Sequence, residues 1–138
     1  LKRRRQRETA LQVLFQAEVA RISGERAFAR TMELFGLNTE DFAYAQELVD
    51  GVLAKVDRLD RIISRVSHEW RLERMANVDR NIIRLALYEV FFRDDIPINV
   101  AVNEALELAR TFGTEDSRRF VNGILGKVVE EPEEYRPE

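Results

Sequence analysis

Arg3-Arg4-Arg5-Gln6-Arg7 is the first stretch whose residue types could do chemistry. A guanidinium is a planar fork of N–H donors that grips phosphate oxygens in pairs. Wound into a helix, these groups fan round one end of the rod, and such an end can hold a nucleic-acid backbone. The alternative is a solvated terminus. The strong apolar helix that follows favours an ordered arginine-rich helix. Cations at a helix N-terminus oppose its macrodipole, a small cost that a phosphate partner would remove.

Two further stretches invite a functional reading. Phe112-Gly113-Thr114-Glu115-Asp116-Ser117-Arg118-Arg119-Phe120-Val121-Asn122-Gly123 could place serine and backbone N–H groups at a helix start to receive a phosphate. Arg118 and Arg119 add charge there, and an exposed Phe120 could stack on a base. The alternative is a capped turn with Phe120 in the core. Trp70-Arg71-Leu72-Glu73-Arg74-Met75 with Asn77-Val78-Asp79-Arg80 reads as a helix hairpin with an N-capped second helix. Asp79, Arg80 and Arg84 would then be surface groups or internal ion pairs, or else the edge that meets a partner.

The chain offers little to an enzyme. It has no cysteine and one histidine, His68, so disulfides, thiol nucleophiles, Cys-based metal sites and paired-imidazole chemistry are excluded. His68 beside Glu69 is a dyad on paper only. Glycine-rich phosphate loops and nucleophile elbows are missing, and no cofactor is implied. No apolar run approaches the roughly 18–20 residues of a membrane span, and no signal-peptide core follows the basic start. A cytoplasmic protein is expected. The first residue is Leu, so the chain reads as trimmed.

Of 138 residues, 45% are hydrophobic and 34% charged, the composition of one folded domain. Read alone, the net charge of −3 argues against nucleic acid. It averages a chain whose first eight residues carry +4 and whose residues 130–138 carry −4.

The elements that must position these stretches all read as helices. Leu11, Leu14, Phe15, Ala17 and Ile22 form a broad apolar face that Ser23-Gly24 stops. Phe28, Met32 and Phe35 lead to Gly36 as a C-cap. Thr39 is a candidate N-cap. Val49, Val52, Leu53, Val56, Leu59, Ile63 and Val66 keep helical spacing, as one helix or as two with a break near Asp57. Residues 78–92 are apolar nearly all round, the mark of a central helix. Asp94-Asp95-Ile96-Pro97 breaks it. Val102, Ala105, Leu106, Ala109 and Phe112 make the next helix, closed by Gly113. Thr114 or Asp116 can cap the last one, which carries Val121, Ile124, Leu125 and Val128. Pro132 ends the ordered part, leaving a frayed acidic tail over 130–138. The expectation is a single all-α domain of about seven helices, with an N-terminal half of about 1–67 joined near Ser67–Glu69 to a C-terminal half of about 68–129.

Together these pieces resemble the NusB family of bacterial transcription antitermination factors. RRRQRETALQVLF, WRLERMANVDRNIIRLALYEV, IPINVAVNEALELARTFG and TEDSRRFVNGILGKV stand in family order and spacing over residues 3–129. The resemblance implies two small helical subdomains, no catalysis, and binding of the boxA element of ribosomal RNA together with NusE, a small-subunit ribosomal protein. It also implies an assembly on RNA polymerase with NusA and NusG. By position, Arg3, Arg4, Arg5 and Arg7 match the family's arginine-rich RNA-binding start, and Asp116, Ser117, Arg118, Arg119 and Phe120 a second part of the RNA surface. Phe15 and Asp79 fall where the family meets NusE, with Arg80 and Arg84 beside them. Some family members form homodimers that cover the RNA surface.

Two rivals stand. A NusB-like domain also occurs fused to an RNA cytosine methyltransferase, from which this chain would be a detached fragment. Alternatively, the chain is a helical protein-interaction module with no RNA role. A helix-turn-helix DNA binder is disfavoured, since no second helix is basic along one face.

Overall fold

Local sequence sets where each helix starts and stops. Helix α1 (Arg3–Ala20) ends because Arg21 turns left-handed, φ 56°, and returns its N–H to Ala17. Ser23, expected to stop α1, instead begins α2 (Gly24–Leu34): its Oγ accepts the Arg26 N–H at 3.1 Å. Gly36 closes that helix as expected, at φ 60°, which lets the Leu37 N–H reach back to the Met32 carbonyl at 2.8 Å. Asn38 rather than Thr39 then caps a 3-10 turn over Thr39–Phe42, accepting the Glu40 N–H at 3.0 Å. The periodic run beyond it is two helices, α3 (Ala43–Ala54) and α4 (Val56–Val66), parted at Lys55.

The computed structural model describes residues 2–137. Leu1 and Glu138, the ends of the expected domain, lie outside the described residues, and with Glu138 so does the last residue of the acidic tail. The described residues hold eight α-helices, two 3-10 turns and no strand. The remaining helices are α5 (Asn77–Phe92), α6 (Ile98–Phe112), α7 (Ser117–Glu130) and α8 (Pro132–Tyr135). None among the described residues is long and apolar enough to cross a membrane. The chain divides into two compact units, Leu1–Ala54 and Lys55–Glu138. The polar stretch Ser67–Glu69 therefore lies inside the second unit.

In the first unit, α1 packs on α2 and α3 through Ala10, Val13, Ala27, Phe28, Ala45, Leu48 and Val49, all buried. Gly24 lets α2 start against α3, since a side chain there would run into Leu53 and Val49. Gln6 fixes the register of α1 on α3. Its buried Oε1 accepts the Ala45 N–H at 3.1 Å, one of the orphan donors of α3's first turn.

In the second unit, α5 is central and packs on α4, α6 and α7. Ile82, Ile83, Leu85, Ala86 and Leu87 are all buried, each of the larger ones worth about 1.5–3 kcal/mol. Trp70–Met75 differs from the expected hairpin helix: it is loop with a 3-10 turn over Leu72–Arg74. The tail differs too. Rather than fraying after Pro132, it forms α8, where the Arg65 guanidinium donates to the Glu134 carbonyl at 3.1 Å and lies 5.1 Å from the Tyr135 ring centre. Glu133 pairs with Arg136 at 2.6 Å, which holds the Glu133 carboxyl below its ordinary range.

Gln6→Leu keeps the side-chain bulk and leaves the Ala45 N–H without its acceptor. It is expected to lower stability by about 1–2 kcal/mol in urea unfolding, with the helical circular-dichroism signal retained. An unchanged midpoint would mean that Ala45 has found another acceptor.

Candidate nucleic-acid interface

The four arginines of the first stretch separate by one turn of helix. Arg3, Arg4 and Arg5 are exposed, whereas Arg7 is 5% exposed. Tyr44, on α3, accounts for part of this. The Arg3 guanidinium carbon lies 4.3 Å from its ring centre and that of Arg7 5.9 Å, within cation–π range. Arg7 is buried, whereas Arg3, stacked on the same ring one turn earlier, stays exposed with Arg4 and Arg5. The first turn of α1 contains no acidic residue, and Lys2 at its N-cap makes no side-chain capping bond. Helix dipole and guanidinium charges therefore add, giving a strongly positive end on the first unit.

Phe15 lies further along α1, 39% exposed, with Val19 at 62%. Four residues apart, the two share a helix face and leave apolar surface open on the first unit.

On the second unit, the other predicted stretch forms the turn into α7. Its serine points inward: Ser117 is 1% exposed, and its Oγ accepts the Thr114 N–H at 2.8 Å. Neither Thr114 nor Asp116 caps the helix with its side chain as expected; Asp116 stands at the N-cap without such a bond. Asp116, Arg118 and Arg119 are exposed and Phe120 is half-buried. Gly113 makes the turn fit, because a Cβ there would overlap the Ser117 side chain and come within 2.7 Å of the Ala109 carbonyl.

Phe120 meets Trp70 edge to face, with ring centres 6.1 Å apart and planes at 81°. The two line a groove of about 680 Å³ together with Asp79, Arg74, Arg119 and Lys127. Asp79, in the first turn of α5, is 9% exposed, and its Oδ1 has no hydrogen-bond partner. Its expected neighbours are engaged within the unit. Arg80 donates to the carbonyls of Leu72 and Met75 at 3.1 and 3.0 Å. Arg84 holds Asp60 through two bonds of 2.8 Å and reaches Asn81 at 3.2 Å. His68 and Glu69 are exposed on the loop before Trp70.

The structure thus brings Phe120, Arg119, Asp116 and Asp79 to one groove, while Arg3, Arg4, Arg5 and Phe15 belong to the other unit. One contributor escaped residue-by-residue reading, and a second was read only as the start of a candidate partner edge. Tyr44 carries no sequence signal, being one aromatic on an apolar helix face. Trp70 carried one: it is the only tryptophan, set among charged residues, and its 54% exposure is unusual for that residue type.

The model of the NusB family matches residues 4–130. The transcription antitermination protein NusB of Desulforudis audaxviator is 99% identical, each chain covering 100% of the other. That of Pelotomaculum thermopropionicum is 53% identical over 99% of this chain and 95% of its own. Among solved structures, Thermotoga maritima NusB superposes with a TM-score of 0.87 at 37% identity, covering 98% of this chain and 96% of that one. A crystal structure of the antitermination factors NusB and NusE in complex with double-stranded RNA superposes at 0.82 with 25% identity, covering 94% and 98%.

Gly113→Ala forces the turn before α7 to open. A loss of about 1–3 kcal/mol is expected in thermal or urea unfolding. A neutral result would mean that the Ser117 side chain can swing away from its bond to Thr114 at no cost.

Proposed function

The chain belongs to the NusB family, and from that footing we propose that it binds the boxA element of nascent ribosomal RNA together with NusE and so supports processive transcription. It is a transcription antitermination factor, not an enzyme. The observation that carries the RNA reading is the start of α1: three exposed arginines on a helix end with no acid in its first turn.

Phosphate contacts position a protein on its nucleic acid, and base contacts specify the site. Arg3, Arg4 and Arg5 are suited to the first task, with Arg7 holding the helix end against Tyr44. Asp116, Arg118, Arg119 and Phe120 are suited to the second, with Ser117 shaping the turn that presents them. NusE would take the apolar patch at Phe15. Arg80 and Arg84 support the partner surface by tying down the segments around α5. Asp79, in the first turn of α5 and lining the groove, would meet NusE there. A NusE-bound chain presents more RNA-contacting surface than either protein alone. It would work in the cytoplasm, in an assembly on RNA polymerase with NusA and NusG.

Replacing Arg4 and Arg5 by alanine is expected to weaken boxA binding and to flatten its salt dependence by about 0.7 in log–log slope per lost phosphate contact. Anisotropy titrations of boxA and scrambled RNA at two salt concentrations measure both quantities, and an unchanged affinity and slope would remove the arginines from the interface. Phe15→Asp is expected to abolish capture of NusE in a pull-down while RNA binding by the chain alone persists. NusE retained at parental levels would reject the Phe15 surface.

A further inference from the structure

We infer that Tyr44 is a positioning residue for RNA binding: its ring sets the guanidinium groups at the start of α1 in place before a phosphate arrives. This rests on the RNA-binding reading above and adds to it a residue that acts through the arginines.

The start of α1 is where a helix should be least ordered. Terminal residues fray unless something ties them down, and the charges here add to that tendency. Arg3 is the first residue of α1, where a cation opposes the macrodipole. Arg7 stands one turn further on, at the spacing where like charges repel along a helix face. A long side chain left mobile at that end would have to be ordered when RNA binds, which weakens affinity.

Two neighbouring residues of α3 hold this end. Ala45 gives its N–H to the buried Gln6 Oε1 at 3.1 Å, which sets the first turns of α1 on α3. Tyr44, the residue before it, is 9% exposed, with the guanidinium carbons of Arg3 and Arg7 4.3 and 5.9 Å from its ring centre. The negative face of one ring attracts both cations and offsets their repulsion. Arg7 is buried and Arg3 exposed, so the ring anchors the helix end through one arginine and holds the other at the surface.

The chemistry suits an RNA-binding end. A ring attracts a guanidinium through its flat face, whereas a phosphate is gripped by the N–H donors in the plane of the group. The two do not compete for the same atoms, and the ring leaves the positive charge whole. A packing role alone would be met by leucine and gives no reason for two cations to converge on the ring.

The full-length chain is titrated with boxA RNA by anisotropy at two salt concentrations. Tyr44→Phe keeps the ring and is expected to bind as the parent does. Tyr44→Leu is expected to weaken binding about 3–10-fold, the effect of having to order one or two long side chains on binding. Its log–log salt slope should stay parental, because every arginine is still present. Arg3→Ala separates positioning from a merely structural role. It should weaken binding in the parent, and by a smaller factor in Tyr44→Leu, the coupling that a double-mutant cycle reads.

Parental affinity in Tyr44→Leu, or the same factor for Arg3→Ala in both backgrounds, would overturn the positioning role and leave the RNA reading standing. Unchanged affinity and slope on replacing Arg4 and Arg5 by alanine would overturn both. Circular dichroism and urea unfolding check that each variant folds. Should Tyr44→Leu fail to fold, a ring-fluorinated phenylalanine at position 44 decides, since it keeps the shape of Tyr44→Phe and withdraws charge from the ring face. Weaker boxA binding than in Tyr44→Phe supports the positioning role, and equal binding overturns it.

Discussion

Helix α5 has almost no face for water, and the second unit is organised by that constraint. Its apolar residues are covered by α4, α6 and α7, so every polar group on it must find a partner inside the fold or bear the cost of desolvation. Most do. Asn81 bonds the backbone and side chain of Asn77 at 3.0 and 2.7 Å. Arg84 takes both oxygens of Asp60, tying α4 to α5. Arg80 gathers the Leu72 and Met75 carbonyls, so a segment with little regular structure of its own is held in place, and Trp70 lies at its start. The exception is Asp79. One of its carboxylate oxygens is sealed from solvent without a donor, a cost that the packing of α5 outweighs.

The first unit meets a different constraint at the start of α1. Aligned N–H groups and successive guanidinium charges raise the potential there, and nothing acidic in the first turn lowers it. Tyr44 offsets part of the cost through its ring face, which stabilises cations without neutralising them. Stability alone would favour an acidic residue at that position.

Much of this was legible in the sequence, for identifiable reasons. The period of Val49 to Val66 and the nearly all-round apolar character of 78–92 pointed to the helices and the central place of α5. Gly36 and Gly113 marked their ends because a backbone turn and a close approach require them. Other boundaries were decided by competition between adjacent candidates. Asn38 outdid Thr39, and Arg21 took the left-handed position that glycine usually holds. The tail misled because its composition is that of a disordered segment, while its contacts come from distant residues, Arg65 and Phe91, that no local pattern points to. At the candidate site, residue types were legible and exposure was not. Arg7 sits in a run with Arg3, Arg4 and Arg5, yet the turn of the helix buries it against an aromatic on another element.

The net charge of −3 is a poor guide to binding for the same reason. Electrostatic attraction acts over about 8–10 Å in physiological salt, so an incoming phosphate responds to the local set of charges. At the start of α1 that set is basic, with no acidic residue in the first turn. The acidic residues of the tail are engaged locally as well: Glu133 is paired with Arg136, and Glu131 shares a hydrogen bond with Glu134 that raises its pKa above the ordinary carboxyl range. The chain is therefore better described as local surfaces of different sign than as a weakly acidic whole.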